Sequence, residues 1–359
     1  MQKELAVADN TTLESVYNAI LNAPSGGMSL VECSMDVLKE SVSTLPYNFY
    51  YGSAVVFNNE IHILGGYNNS TKHYKWNGSS WVSVSTLPYN FCYGSAVVLN
   101  NEIHILGSGH SGNFTKHYKW NGSSWTSVST LPYDYSYGSA IVLNGEIHIL
   151  GSVNSGNYTK HYKWNGSSWV SVSTIPYAFY RGCAVVLNRE IHVLGSVYTP
   201  SYYTKHYKWN GSSWSSVSTL PYNFYDGSAV VLNGEIHILG SGSNYTKHYK
   251  WNGSSWENVS TLPYNFYCGS AVVLNGEIHI LGSNTSSSQT KHYKLNPSIR
   301  KLSTYLNKKQ KVFLPYDLSK VTPISNCTKE EKNLVVSEDG VVEFNIETEE
   351  PKTVLTVKG

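Results

Sequence analysis

The chain has 359 residues, a formal net charge of +2 and only 14% charged residues, so no basic field advertises nucleic acid or an anionic membrane as partner. No apolar run approaches the ~20 residues a membrane helix needs, which argues against membrane insertion. The opening "MQKELAVADN" lacks the apolar core of a signal peptide, so the expectation is a cytoplasmic protein or one assembled into a particle after cytoplasmic synthesis.

Five scattered cysteines (Cys33, Cys92, Cys183, Cys268 and Cys327) form no CxxC pair, which argues against a disulfide framework and a structural zinc site. The 29 Tyr and 10 Trp supply flat faces with a polar handle, useful between packed sheets and at binding surfaces.

Residues 1–40 form a first flank. Thr11 and Glu14 have capping-box spacing, and Leu13, Val16, Tyr17, Ile20 and Leu21 share one helical face before Pro24, so a short helix is expected. It either folds against the chain's own rim or docks on another protein.

From 41 to 300 the chain repeats itself. The string "TKHYKWNGSSW" begins at 71, 115, 159, 204 and 246, and "LPYNF"-like phrases begin at Leu45, Leu87, Leu131, Ile175, Leu220 and Leu262. Self-similarity at 42–45 residues marks propellers and solenoids, and no apolar period of 3.6 supports a helical solenoid. Each unit holds four strand-like pieces: "GSAVVLN", "EIHIL", "TKHYKW" and "WVSVST". Two-residue Asn-centred hairpins are expected after the first and third, and Pro46 and its equivalents stop the ladder. Six units of four antiparallel strands predict a six-bladed β-propeller.

"SVSTLP" at 41–46 is a fourth-strand sequence with no first three strands before it. Residues 41–44 are therefore expected to close the ring as the outer strand of the sixth blade, since an open ring would leave exposed edges.

The repeat resembles the kelch motif, which has a Gly pair after the second strand, then a Tyr and a Trp separated by six residues. The pairs here are Tyr74/Trp81, Tyr118/Trp125, Tyr162/Trp169, Tyr207/Trp214 and Tyr249/Trp256. Only the first unit keeps Gly65-Gly66; the others read Gly-Ser, and the sixth has Tyr293 with Arg300 in place of Trp. The resemblance covers about 45–300. It implies an all-β, six-bladed kelch-type propeller, and it places ligand binding on the face where strands one and two begin and end.

The internal copies disagree in two places. All length differences fall between the second strand's glycine and "TKHYK". The second variable place is the lead-in to the first strand, where Tyr51, Tyr93, Tyr137, Arg181, Asp226 and Cys268 share one column and Tyr50, Cys92, Ser136, Tyr180, Tyr225 and Tyr267 the column before it. Antiparallel strand direction puts both on one face of the disc. Neutral drift is the bland explanation, but the opposite hairpins are equally exposed and have not drifted, and the exchanged residues are those of recognition surfaces. The expected contact set is Tyr50, Tyr51, Tyr93, Tyr137, Tyr180, Arg181, Tyr225, Asp226 and Tyr267, with Tyr67, His110, Tyr158, Tyr202 and Tyr245 from the loops.

Twelve of the thirteen histidines are repeat members, in "EIHIL" and "KHY". Second-strand positions lie too far from the axis to share an ion, so they are read as packing, and no metal or cofactor is expected. Six glutamates (Glu60, Glu102, Glu146, Glu190, Glu235 and Glu277) are read as solvated strand ends.

Residues 301–359 change composition, with 18 charged residues in 59 and no Trp. "NLVVSEDGVVEFNI" reads as a hairpin around Asp339-Gly340 and "KTVLTV" as a strand: a small β-rich appendage.

The expected function is a non-enzymatic recognition or structural module that binds a glycan or a protein through the variable face. Both flanks are expected to hold an assembly partner. A duplicated scaffold with varied loops and no secretion signal resembles bacteriophage tail or fibre proteins, which implies a virion setting. The alternative is a kelch-fold sugar-modifying enzyme of the mutarotase or oxidase type, which would depend on Asp226 or Arg181.

Overall fold

A computed structural model describes residues 39–297 with side chains, except 111 and 198, together with backbone strands at 2–7, 30–38, 298–306, 310–313, 334–336, 341–344 and 353–357. The chain divides into two compact units, Glu40–Lys294 and Met1–Lys39 with Leu295–Gly359.

The larger unit is an all-β, six-bladed propeller. Blade 1 runs Ser53–Phe57, Glu60–Leu64, Lys72–Trp76 and Trp81–Thr86, paired in sequence order as an antiparallel sheet, and blades 2 to 5 repeat it. The six innermost strands, Ser53–Phe57 to Ser270–Leu274, neighbour one another in a closed circle. The first hairpin is the two-residue type expected: Phe57 faces Glu60, and Asn58 and Asn59 take φ of 51° and 60°.

The second hairpin is longer than expected. Trp76 faces Trp81, leaving the four-residue loop Asn77–Ser80. The Asn77 Oδ1 accepts from the Ser79 N–H, the Ser80 N–H and the Ser79 hydroxyl at 2.9–3.0 Å. A side chain thus closes the turn, which explains why "NGSS" recurs unchanged.

Blades pack face to face through apolar seams. At one of them Val55, Phe57 and Leu64 of blade 1 meet Leu87, Tyr89 and Phe91 of the linker and Ile103, Ile105 and Trp120 of blade 2. Each fully buried aliphatic or aromatic contributes about 1.5–3 kcal/mol, which makes these seams the main store of stability. The Tyr89 hydroxyl donates to the Gly107 carbonyl at 3.0 Å, a bond repeated in every blade from Tyr47–Gly65 to Tyr264–Gly282.

The repeat histidines form buried relays. In blade 1 His62 Nδ1 and His73 Nε2 lie 2.8 Å apart, and His73 Nδ1 meets Ser85 Oγ at 2.9 Å. Trp125 of the next blade donates its indole N–H to the same hydroxyl at 3.0 Å. His73 also sits edge-on to Trp120 and Trp125, at 5.6 and 5.7 Å. The repeated string is therefore a seam as well as a strand: its His and Trp positions fit their own blade and the one beside it. The six glutamates are ion-paired strand ends, as with Glu60 and Lys75 at 2.8 Å, rather than a free acidic ring.

In blade 6 the strands Ser270–Leu274, Glu277–Leu281 and Lys291–Leu306 are joined by Leu30–Thr44. Ser43 Oγ takes the place of Ser85: it meets His292 Nδ1 at 3.0 Å and accepts from the Trp81 indole at 3.0 Å. The Leu45 N–H donates to the Thr290 carbonyl, and Val42 packs on the cluster shared by blades 6 and 1.

In the smaller unit Gln2–Val7 pairs antiparallel with 300–305 and parallel with Thr353–Val357. Gln310–Phe313, Val341–Phe344 and Leu334–Val336 make a three-stranded antiparallel sheet. The expected helix at 13–21 and the Asp339-Gly340 turn lie outside the described residues.

Candidate functional site

The lead-in residues build the site from the backbone upward. The Tyr93 N–H donates to the Tyr51 carbonyl, Tyr137 to Tyr93, Arg181 to Tyr137, Asp226 to Arg181, Cys268 to Asp226 and Tyr51 to Cys268, at 2.7–2.8 Å. Six hydrogen bonds between six blades close a circuit around the axis. All six residues take φ of 53–58°, the left-handed region, although none is glycine. Such a conformation costs on the order of 1 kcal/mol or more per side-chain-bearing residue and persists only where its surroundings enforce it.

The side chains of this circuit also touch in order. Tyr51 and Tyr93 have centroids 4.4 Å apart, Tyr93 and Tyr137 stack at 4.2 Å, and the Arg181 guanidinium lies 4.6 Å over the Tyr137 ring. Arg181 Nη1 donates to Asp226 Oδ2 at 3.1 Å. Tyr267 bonds the Asp226 carboxylate as well, and Tyr51 bonds both Tyr267 and Cys268. One half of the mouth is therefore aromatic and the other ionic.

Burial dominates the electrostatics. The Asp226 side chain is 6% exposed, and burial pushes its carboxyl up to about 6 against the opposing pull of Arg181 and Tyr267. Burial likewise raises the Tyr51 and Tyr93 phenols and the Cys268 thiol well above their ordinary ranges, and the Cys92 thiol to about 11, so none is ionised near neutral pH. Among the described residues no His, Cys, Asp and Glu cluster could hold a metal ion.

The variable loops return to the same end of the disc. The loops' first amides bond back to the lead-ins: Tyr67 to the Tyr50 carbonyl, Gly109 to Cys92, Val153 to Ser136, Val197 to Tyr180, Gly242 to Tyr225 and Asn284 to Tyr267. Loop tyrosines then pair with lead-in tyrosines: Tyr158 with Tyr180 at 5.5 Å, Tyr203 with Tyr225 at 5.1 Å and Tyr245 with Tyr267 at 5.9 Å. Tyr67 stacks on Tyr50 at 6.0 Å and also reaches Tyr51 and Tyr93. Tyr67 is 51% exposed and Tyr245 39%, whereas Tyr50 is buried beneath.

Three sequence-chosen residues sit differently from their peers. Tyr202 packs on buried Tyr177 at 5.5 Å, and its neighbour Tyr203 faces the lead-in instead. His110 is half-buried, its amide bonded to Ser108 Oγ at 3.2 Å and its Nε2 without a partner. Tyr50 is a floor rather than a surface. Cys268, which closes the circuit, was absent from the expected contact set although it occupies the same column as five members of it.

No family model matches the chain, and no curated protein matches its sequence. Its likeness is to a solved structure. The structure of YjhT superposes with a TM-score of 0.62 at 15% identity, covering 71% of this chain and 96% of that one. At that identity the likeness shows the fold alone, a six-bladed β-propeller.

Proposed function

We propose that this propeller is a non-enzymatic recognition module whose tyrosine-lined face binds a glycan. The observation that carries the reading is the axial circuit. Six left-handed positions that glycine would fill at least cost hold three Tyr, an Arg, an Asp and a Cys. Around them lie exposed tyrosine faces, as at Tyr67 and Tyr245, with the exposed side chain of Asn68 beside Tyr67, the mixture that stacks on a pyranose ring and bonds its hydroxyls. The five Tyr/Trp pairs support membership of the kelch-repeat group. Flanks whose terminal strands join in one sheet suit anchorage in a larger assembly such as a virion.

A glycan array followed by titration tests this. Replacing Tyr51, Tyr93 and Tyr137 together by Ala is expected to weaken binding at least about a hundredfold, the loss of stacking surface worth on the order of 3 kcal/mol. Unchanged binding by a folded triple variant rules out the face, and capture of a protein surface instead rules out the glycan.

A second reading, a sugar-modifying enzyme, has Asp226 in its favour. A buried carboxyl poised at about 6 beside Arg181 and Tyr267 can give and take a proton near neutrality. It requires sugar turnover that disappears in Asp226→Asn.

A further inference from the structure

Five of the six variable loops are pinned at the root by a buried serine: Ser108, Ser152, Ser196, Ser241 and Ser283. Ser108 shows the device. Its hydroxyl donates to the Asn90 carbonyl at 2.8 Å and accepts the Cys92 N–H at 3.3 Å and the His110 N–H at 3.2 Å, tying loop to lead-in. Blade 1 has Gly66 at that position, with φ of 123°, a conformation closed to residues with a Cβ. Its substitutes are two asparagines: Asn69 Nδ2 donates to the Asn48 carbonyl at 3.3 Å in an exposed bond, and Asn68 Nδ2 to the Tyr50 hydroxyl at 2.9 Å. Solvent competes for the exposed Asn69 bond, and the Asn68 bond is only part-buried, so the pair holds the loop less firmly than the buried serine does.

The loop that lacks the serine, held at its root by the Gly66 and Tyr67 amides, carries the most exposed tyrosine of the face. The ring of Tyr67 rests at 6.0 Å on Tyr50, 6.5 Å from Tyr51 and 6.1 Å from Tyr93. Tyr67 covers these three rings with a face of its own, and lifting it would uncover a cup between them.

We infer that the cup of Tyr50, Tyr51 and Tyr93 is a subsite for the flat apolar face of a hexose ring, filled in the free protein by Tyr67 on a glycine-hinged loop that swings away on binding. This rests on the glycan-binding reading of the face and adds where the ring sits and what must leave. A self-filled cup lowers apparent affinity in proportion to the open fraction. If the loop is open ~20% of the time, removing the Tyr67 ring tightens binding about fivefold. A tyrosine that merely stacked on the ligand would give the opposite sign.

Two measurements on the full chain test it. Hydrogen exchange of the free protein compares loop 66–70 with loop 241–245, equal in length and pinned by Ser241. The first is expected to exchange at least tenfold faster; equal protection overturns the hinge without reference to any ligand. Titration with the best hexose-bearing glycan of the array is expected to show Tyr67→Ala binding about fivefold tighter and Tyr51→Ala losing affinity. A Tyr67→Ala protein that binds no tighter than wild type overturns the subsite and leaves the face standing. A wild-type protein that binds no glycan removes both, and the array shows this before any variant is made.

Discussion

Acidification to pH 5 is expected to unfold the propeller cooperatively, at a pH where most of its carboxylates are still ionised. Burial holds the second-strand histidines His62, His104, His148, His192, His237 and His279 down to about 4. It holds the third-strand His73, His117, His161, His206 and His292 down to about 3. A nitrogen already engaged in a His–His–Ser relay has no room for a second proton and no water to solvate the charge.

Unfolded, these rings titrate near 6.5, so between about 6.5 and 4 the unfolded chain binds more protons than the native one. Stability from this source is complete above 6.5 and is lost as pH falls through that window. At pH 5 the difference is ~2 kcal/mol for the first proton of a relay, on the order of 10 kcal/mol for six relays, against a total stability of about 5–15 kcal/mol. Asp226, with its raised pKa, runs the other way, but it is a single group. Circular dichroism against pH is expected to show a midpoint between about 5 and 6, with several protons taken up in the transition. A propeller still folded at pH 4 would mean that the relays accept protons in place.

Gly282→Ala is expected to weaken the ring far more than Gly253→Ala, although both glycines have positive φ. A Cβ on Gly282 would stand 1.9 Å from the Phe49 carbonyl oxygen, which belongs to the blade across the closing seam, whereas one on Gly253 meets nothing within 4 Å. Phe49 is fully buried, and its amide is held by the Gln289 carbonyl, so neither strand can retreat without opening the seam. Gly253→Ala has only backbone strain to absorb, about 1 kcal/mol. Gly282→Ala adds a backbone clash in a close-packed core, for a total of about 4 kcal/mol or more. For a unit of this size that is a fall in Tm of roughly 10 °C against 2–4 °C for the control. Equal shifts would show that the closing seam yields freely.

The six blades were legible because each strand is written out between its own turn residues and repeated until no other period fits. Asn58-Asn59 carries its turn in its letters. Asn77–Ser80 does not: the letters suggest a two-residue turn, and only the Asn77 side chain, bonded to Ser79 and Ser80, shows why four residues are needed. The histidines were legible as packing but not as relays, because the third partner, Ser85, is in the next strand and the fourth, Trp125, in the next blade.

The axial circuit was half legible. One column of six differing residues marked the place, yet its left-handed backbone and its Arg181–Asp226 pair arise between positions 45 residues apart that meet only when the ring shuts. Tyr202 and Tyr203 show the limit most plainly: adjacent tyrosines in one loop, one facing the core and the other the lead-in, told apart by a short 3-10 turn at Pro200–Tyr202.

Hydroxyl-radical footprinting with a bound glycan from the array tests the contact face most directly. Tyr245, an exposed aromatic of the axial face that no proposed motion removes, is expected to lose reactivity on binding, while Val82 and Val170, equally exposed on fourth strands, keep theirs. Protection of the valines with Tyr245 unchanged would contradict the account.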